Sequence, residues 1–369
     1  MVLPLKIMLS MEHPAWVHQY KHIIRELASK GHEIKVLAIN KDVTLDLLDA
    51  YDIPYEVMSH SSGKNIVEKG FIFLQTTLKV FTASLRFHPD IYLGRASPMI
   101  AINSFLFRKP HILFEDTEHS HFCLNTCKAF SDVIITPNCF FDSLGKKQIR
   151  VNAYKELFYL WPSRFTPDEK VLEQYGLHPT DKYIIVRFVA WDAHHDVGQH
   201  GIRDKVGLVK ALEQYGRVLI TSEGALPAEL QEYQIRVSPE KLHDLLYYAT
   251  LYVGEGGTTA SEAAVLGTPS IYVSSLVGTM GNFIELEVTY DLLYSFTDGE
   301  AALAKAIEIL QDPASKEKWR SKRERLLEDK IDVTAFMVWF IENYPSSFTE
   351  MKEHPEVQYS CAPLRGGAL

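Results

Sequence analysis

At 369 residues the chain exceeds what one hydrophobic core usually organises, so two α/β domains are expected. Apolar residues make up 46% and charged residues 23%, the balance of a folded, enzyme-sized protein. A net charge of −9 and a pI near 5.9 exclude the basic face that nonspecific nucleic-acid binding needs, though a local basic cleft around a nucleotide stays compatible.

The cysteines Cys123, Cys127, Cys139 and Cys361 form no repeated C-x-x-C pair, so no zinc ribbon is expected, and their scarcity suits a reducing cytoplasm. No secretory signal is read at the start. No stretch reaches the roughly 20 apolar residues of a membrane span. A cytoplasmic protein is expected, with peripheral membrane contact left open.

In chain order, residues 5–10 read as a strand, 16–30 as a helix with Val17, Tyr20, Ile24 and Leu27 on one face, and 34–39 as a second strand. This is a Rossmann-like opening without the G-x-G-x-x-G of a dinucleotide site. A short helix over 45–50, an edge strand over 53–57, a polar loop over 59–70 and a helix over 71–87 follow. Strands at 91–93, 111–114 and 133–136 enclose a helix at 99–107. Strands alternating with helices imply a parallel sheet whose C-terminal ends hold the ligand loops. Three such loops hold His13 and His18; Arg95 and Ser97; and Glu115, Asp116, Glu118 and His119. The bland alternatives are helix caps and solvated surface charge.

Residues 152–168, with Pro162 and Pro167 and little periodicity, read as the passage between domains. A second α/β set follows: strands at 183–187 and 218–221, helices at 203–215 and 239–248, and a glycine-containing loop over 277–283. Helices are read at 300–310, 315–329 and 333–344. The expected boundaries are a first domain over 1–160, a second over 163–330, a crossover helix over 331–345 and a surface tail over 346–369. Neither Asp192-Ala-His-His-Asp196 nor Glu118-His-Ser-His121 has an established metal spacing, so no metal is expected.

The most informative stretch is 251–273, LYVGEGGTTASEAAVLGTPSIYV. It reads as strand, glycine-rich turn, short helix, Gly267 C-cap, Pro269 stop and strand. A glycine-rich turn at a helix N-terminus presents N–H groups and the positive end of the helix dipole to an anion such as a diphosphate. The competing reading is a capping box over Thr259 to Glu262.

Taken together, His13-Pro-Ala-Trp-Val-His18, Gly31-His-Glu, Phe114-Glu-Asp-Thr-Glu-His119, Asp132-Val-Ile-Ile-Thr-Pro137, Tyr154-Lys-Glu-Leu157, Arg187 with Ala190-Trp191, and the run from Gly256 to Pro269 resemble an archaeal and bacterial family of unknown function. That family is related to glycosyltransferases and to UDP-N-acetylglucosamine 2-epimerase, and the resemblance spans roughly residues 5–340. It implies a GT-B-like α/β fold: two Rossmann-like domains facing a cleft, with a C-terminal helix crossing back to the first. In relatives such as the lipid-linked peptidoglycan N-acetylglucosaminyltransferase, the glycine-rich turn faces a diphosphate and a helix glutamate bonds the ribose hydroxyls. By matching register, Gly256, Gly257, Thr258 and Thr259 correspond to the turn and Glu262 to the glutamate, with Arg187 a candidate diphosphate contact.

Ala263 stands where the epimerase pattern has a second glutamate, and Glu255 and Glu262 miss the paired-glutamate spacing of retaining enzymes. The resemblance therefore implies a metal-independent, inverting glycosyltransferase that takes a nucleotide sugar, UDP-linked, as substrate and needs no cofactor. An epimerase-like enzyme, a nucleotide-sugar hydrolase and a noncatalytic binding protein are the alternatives. The acceptor is undefined: glycan, lipid or small molecule. His13, His18, Arg95 and Ser97 are expected to line the acceptor side. His13 is the preferred general base over Asp116, with Glu118 and His119 as alternates.

Overall fold

A computed structural model describes residues 3–59, 66–118, 120–189 and 201–361. The chain divides into two compact units, one of 1–164 plus 331–369 and one of 165–330.

In the first unit, β1 (Lys6–Met11) leads into α1 (Pro14–Ser29), β2 (Glu33–Ile39), α2 (Thr44–Ala50) and β3 (Tyr55–Ser59). Then come α3 (Ile66–Phe87), β4 (Ile91–Gly94), α4 (Pro98–Phe107), β5 (His111–Phe114), α5 (His121–Phe130), β6 (Val133–Pro137), β7 (Gln148–Val151) and α6 (Leu157–Leu160). The seven strands are all parallel, in the order β3-β2-β1-β4-β5-β6-β7. Strands β1, β4, β5 and β6 are buried almost throughout, which is why they read as continuous apolar runs and not as alternating ones. Strand β3 lies at the sheet edge, as its sequence implies.

The second unit runs α7 (Lys170–Glu173), β8 (Tyr183–Phe188), α8 (Lys205–Leu212), β9 (Arg217–Ser222), α9 (Leu242–Tyr248), β10 (Leu251–Gly254), α10 (Gly257–Leu266), β11 (Ser270–Val273), α11 (Gly281–Ile284), β12 (Leu293–Phe296), α12 (Gly299–Gln311) and α13 (Ser315–Asp329). Its parallel sheet has the order β12-β11-β10-β8-β9. Helix α10 is buried from Thr259 to Leu266 and ends as its sequence predicts, at Gly267 with φ 81°.

The chain then returns to the first unit. The Ile331 N–H donates to the Asn152 carbonyl (3.1 Å), and α14 (Val333–Glu342) packs on α1 and α6. Asp332 caps α14 and pairs with Arg164, which also pairs with Glu26.

Three expectations change. Residues 152–164 are not an exposed connector: Tyr154, Leu157, Phe158, Tyr159 and Leu160 are core residues of the first unit. Aromatic content without periodicity marks burial there, and the division falls after Arg164. The tail expected from residue 346 begins with a packed helix: α15 (Ser346–Glu353) lies on β7, with Lys352 Nζ donating to the Gln148 carbonyl at 2.6 Å. Part of the loop expected over 277–283 is helical in α11.

His111 gives this core a measurable acid sensitivity. It is fully buried, its Nδ1 lies 2.8 Å from Ser131 Oγ, and burial lowers its pKa to about 3. An unfolded chain protonates this ring near pH 6.5. The unfolded state therefore takes up the proton first as pH falls. His111 thus contributes stability that is complete above about pH 6.5 and declines toward about pH 3. His111→Asn keeps a partner for Ser131 but cannot titrate. Its urea-unfolding free energy should fall less steeply than wild type across that window, and equal slopes would exclude the assignment.

Candidate functional site

Each sheet changes winding direction once. In the first unit the chain moves outward from β1 to β2 and β3, then restarts at β4 on β1's other side, so the loops after β1 and β4 diverge. In the second unit the same reversal falls between β8 and β10. Ligand crevices form at such switch points, outside the strands' C-terminal ends.

The first unit's switch point is densely charged. Arg95, 4% exposed, donates to Glu115 and Asp116, and its Nη1 also reaches Gln19 Oε1 at 3.3 Å. Lys155 Nζ lies 3.0 Å from both Asp116 and Glu156. Glu115 additionally accepts from the N–H groups of Ala96 (3.2 Å) and Thr117 (3.0 Å), which ties the loop after β4 to the loop after β5. Against the cost of burial, Arg95 and Lys155 hold the Asp116 carboxyl far below its ordinary pKa. Asp116 is therefore a fixed anion and a weak base.

The other expected residues of this unit have structural partners. His18 packs between Tyr51 and Tyr159, its Nδ1 3.0 Å from the Tyr51 hydroxyl. Ser97 caps α4, accepting from Ile100 N–H at 3.4 Å. Glu118 is buried and accepts from Phe141 N–H at 3.4 Å. His119 lies outside the described residues, as do Ala190, Trp191 and the histidine pair at 194–195.

His13 is exposed and caps α1, its Nδ1 accepting from Ala15 N–H at 3.2 Å, with Pro14 in the first turn. Crowding by the surrounding protein and then Lys41 lower its pKa to about 4. The ring is neutral at pH 7. Because Nδ1 accepts, its proton sits on Nε2, so the free edge of the ring is a donor.

Glu12, one residue earlier, was not singled out by sequence. Burial raises its carboxyl pKa, opposed by the Ser97 and Ser10 hydroxyls and by Lys41. It directly follows β1 at the switch point, and its pKa moves upward where that of Asp116 moves downward. Its signal, one acidic residue after an apolar strand, is hidden by the His-Pro that follows.

In the second unit, α10 starts at Gly257 with Gly256 as N-cap, and no side chain caps it. Gly256, Gly257 and Thr258 are half-buried, while Thr259 is buried. The glycines serve space and not unusual backbone. Gly256 has an ordinary φ of −80°, and a Cβ there would lie 3.0 Å from Arg187 Cδ. A Cβ on Gly257 would lie 3.2 Å from the Phe283 ring. Arg187, at the end of β8, therefore lies against the turn, and its Nη2 pairs with Glu223 at 2.6 Å. Glu255 is committed elsewhere, accepting from the N–H groups of Val189 (2.9 Å) and Ile202 (2.7 Å).

Glu262 does not form the capping box. It is buried in the second turn of α10 with Oε1 3.0 Å from His243 Nε2, a partner from α9 that sequence reading missed. Among the described residues no cluster of three metal-ligating side chains is present, and no helix is long and apolar enough to cross a membrane.

The Arg95 network predicts a stability effect. Arg95→Met leaves Glu115 and Asp116 as buried anions short of a partner and should cost about 3–5 kcal/mol in denaturant unfolding. Lys305→Met, which breaks the surface pair with Glu308, should cost under about 1 kcal/mol. Similar losses in the two variants would refute a central role for the network.

Solved structures resemble this fold at low identity. UDP-GlcNAc 2-epimerase from Methanocaldococcus jannaschii has a TM-score of 0.62 at 14% identity, over 87% of this chain and 99% of that one. UDP-GlcNAc 2-epimerase from Neisseria meningitidis, bound to UDP-GlcNAc, has a TM-score of 0.61 at 13% identity, over 85% and 94%. The Streptomyces sp. SF2575 glycosyltransferase SsfS6, complexed with thymidine diphosphate, has a TM-score of 0.59 at 14% identity, over 92% and 99%. These likenesses establish a fold of the GT-B glycosyltransferase and epimerase kind. No curated protein sequence matches the chain. Residues 5–342 match the family described as protein of unknown function (DUF354), and the chain belongs to that family.

Proposed function

We propose that this protein is a nucleotide-sugar-dependent glycosyltransferase, inverting and metal-independent, whose second unit holds the nucleoside diphosphate. The observation that supports this most is the uncapped, half-buried N-terminus of α10 with Arg187 lying against it. Unpaired N–H groups, the helix dipole and a guanidinium together offset the charge of a diphosphate leaving group, the role a metal ion has elsewhere. Glu262, held in place by His243, accepts from the ribose hydroxyls. The liganded relatives, bound to UDP-GlcNAc and to thymidine diphosphate, favour a nucleotide over other anions.

Binding of UDP by calorimetry tests the site. Arg187→Ala should weaken it. Glu223→Gln should tighten it, because it removes the carboxylate that now neutralises Arg187. Glu262→Ala should weaken it by about 1.5–3 kcal/mol, the range for a hydrogen bond to a charged group. Unchanged affinity in folded Arg187→Ala and Glu262→Ala proteins would remove the site from the second unit.

The first unit supplies the proton-transfer group. Among His13, Asp116, Glu118 and Glu12, we assign it to Glu12. Asp116 is locked as an anion, and His13 uses its acceptor nitrogen as a cap. A carboxyl with a raised pKa matches the requirement that a catalytic acid or base titrate nearer neutral pH. A second reading, an epimerase-like or hydrolytic enzyme on the same nucleotide sugars, is favoured by that same carboxyl, which can act as acid as well as base. Incubating the protein with UDP-sugars in EDTA, with and without acceptor sugars, separates the readings: turnover without acceptor selects the second. In either case Glu12→Gln should lose about 10²–10⁴ in rate with UDP affinity intact. His13→Ala should retain most turnover. The reverse ranking would return the role to His13.

A further inference from the structure

Helix α3 is apolar on both sides. Its inner side places Val80 and Ala83 in a core cluster with Met8, Leu37, Met58 and Tyr92. On its outer side Val67, Phe71, Leu74, Leu78, Phe81 and Leu85 are exposed, from 36% at Phe81 to 79% at Val67. These positions are separated by alternating steps of four and three, the a and d spacing of a heptad. A helix apolar all round is a helix with neighbours on every side. Among the described residues, nothing covers this outer seam.

The apolar surface continues past the helix. Phe81 touches Phe107 of the adjacent α4, whose Phe105 and Leu106 are 60% and 57% exposed. With Phe73 beside the seam, the exposed apolar area is on the order of 800 Å², larger than monomers usually present. It approximates the roughly 800 Å² per partner of a stable protein interface.

We propose that this face of the first unit is the interface of a symmetric dimer, with α3 of one copy packed along α3 of a second. The flanks of the seam fit a partner carrying the same charges. Gly70, Gln75, Thr77 and Thr82 border it and are uncharged, and charge enters only at its N-terminal end with Glu68 and Lys69, so an isologous contact brings no like charges together along most of its length. Two of the nearby cations, Lys79 and Arg86, are directed at the protein's own sheet edge, whereas Lys69 and Arg108 are exposed at the ends of the patch. Lys79 Nζ donates to the Met58 carbonyl at 2.7 Å, and Arg86 pairs with Glu56 at 3.3 Å. A lipid-binding surface would instead present them outward to anionic headgroups. The middle of the seam, Leu74 and Leu78, lies near the two-fold axis and holds the best-packed contacts.

Sedimentation velocity of the full chain down to low micromolar concentration tests this. The wild type should sediment at twice the 42.1 kDa chain mass. The Leu74→Glu, Leu78→Glu double variant should be a monomer with unchanged circular dichroism, because both positions are exposed in the single chain. If the double variant does not fold, Leu78→Gln serves in its place and should raise the dimer dissociation constant at least about tenfold. A wild-type monomer overturns the proposal, whether or not it co-floats with phosphatidylserine vesicles. So does a dimer that persists in the folded variants.

Discussion

A parallel sheet delivers the C-terminal end of every strand to one edge, and the polar groups gathered there must be satisfied without water wherever they are buried. The two units meet this constraint differently. The first fills its edge with side-chain charge: Arg95 and Lys155 pair with Glu115, Asp116 and Glu156 in one buried network, two cations against three carboxylates. The second fills its edge with backbone: Glu255 accepts from two N–H groups, and α10 begins on glycines with no side-chain cap. The first arrangement leaves little free charge for a ligand. The second leaves positive potential at a helix end.

That contrast orders the candidate residues. A carboxylate between two cations does not take a proton near neutrality, so Asp116 is the weaker candidate for proton transfer. His13 is depressed chiefly by desolvation and then by Lys41, with Arg95 and Lys155 adding little. Glu12 departs from the pattern because burial outweighs the nearby hydroxyls and Lys41, and its pKa rises. Two adjacent residues at one strand end thus move in opposite directions. Desolvation dominates both, and it penalises the charged form of each: the anion for Glu12 and the cation for His13.

The parallel sheets were legible because their central strands are short apolar runs bounded by polar turns, and α10 because Gly256, Gly257, Gly267 and Pro269 punctuate it. Strands β7 and β12 were not. In β7, Gln148 and Arg150 interrupt the apolar run, yet Gln148 is buried and bonded to Thr136, and Arg150 reaches loop carbonyls. Those partners come into view only in the fold, so no strand was read there. His243 was hidden for the same reason: one histidine on an amphipathic helix means nothing until the fold brings Glu262 to it. The interior passage 153–160 lacks periodicity because burial on several sides imposes none.

The backbone arrangement in the second unit also sets how strongly an anion can be held. Glu255 precedes the turn, and a free carboxylate there would repel a phosphate. Its two backbone partners, the N–H groups of Val189 and Ile202, disperse that charge. Of the described groups beside the turn, the α10 N-terminus and Arg187 are positive, and Glu223 already claims Arg187 at 2.6 Å. This pair is partly exposed, so solvent screens it and it is weaker than the buried network of the first unit. A diphosphate carries more charge than Glu223 and approaches from the helix end, where the dipole adds to the attraction. Arg187 can exchange its partner at small cost, whereas Arg95 cannot. Exchangeable pairing at one edge and fixed pairing at the other is the electrostatic reason the proposal above puts the anion on the second unit and not the first.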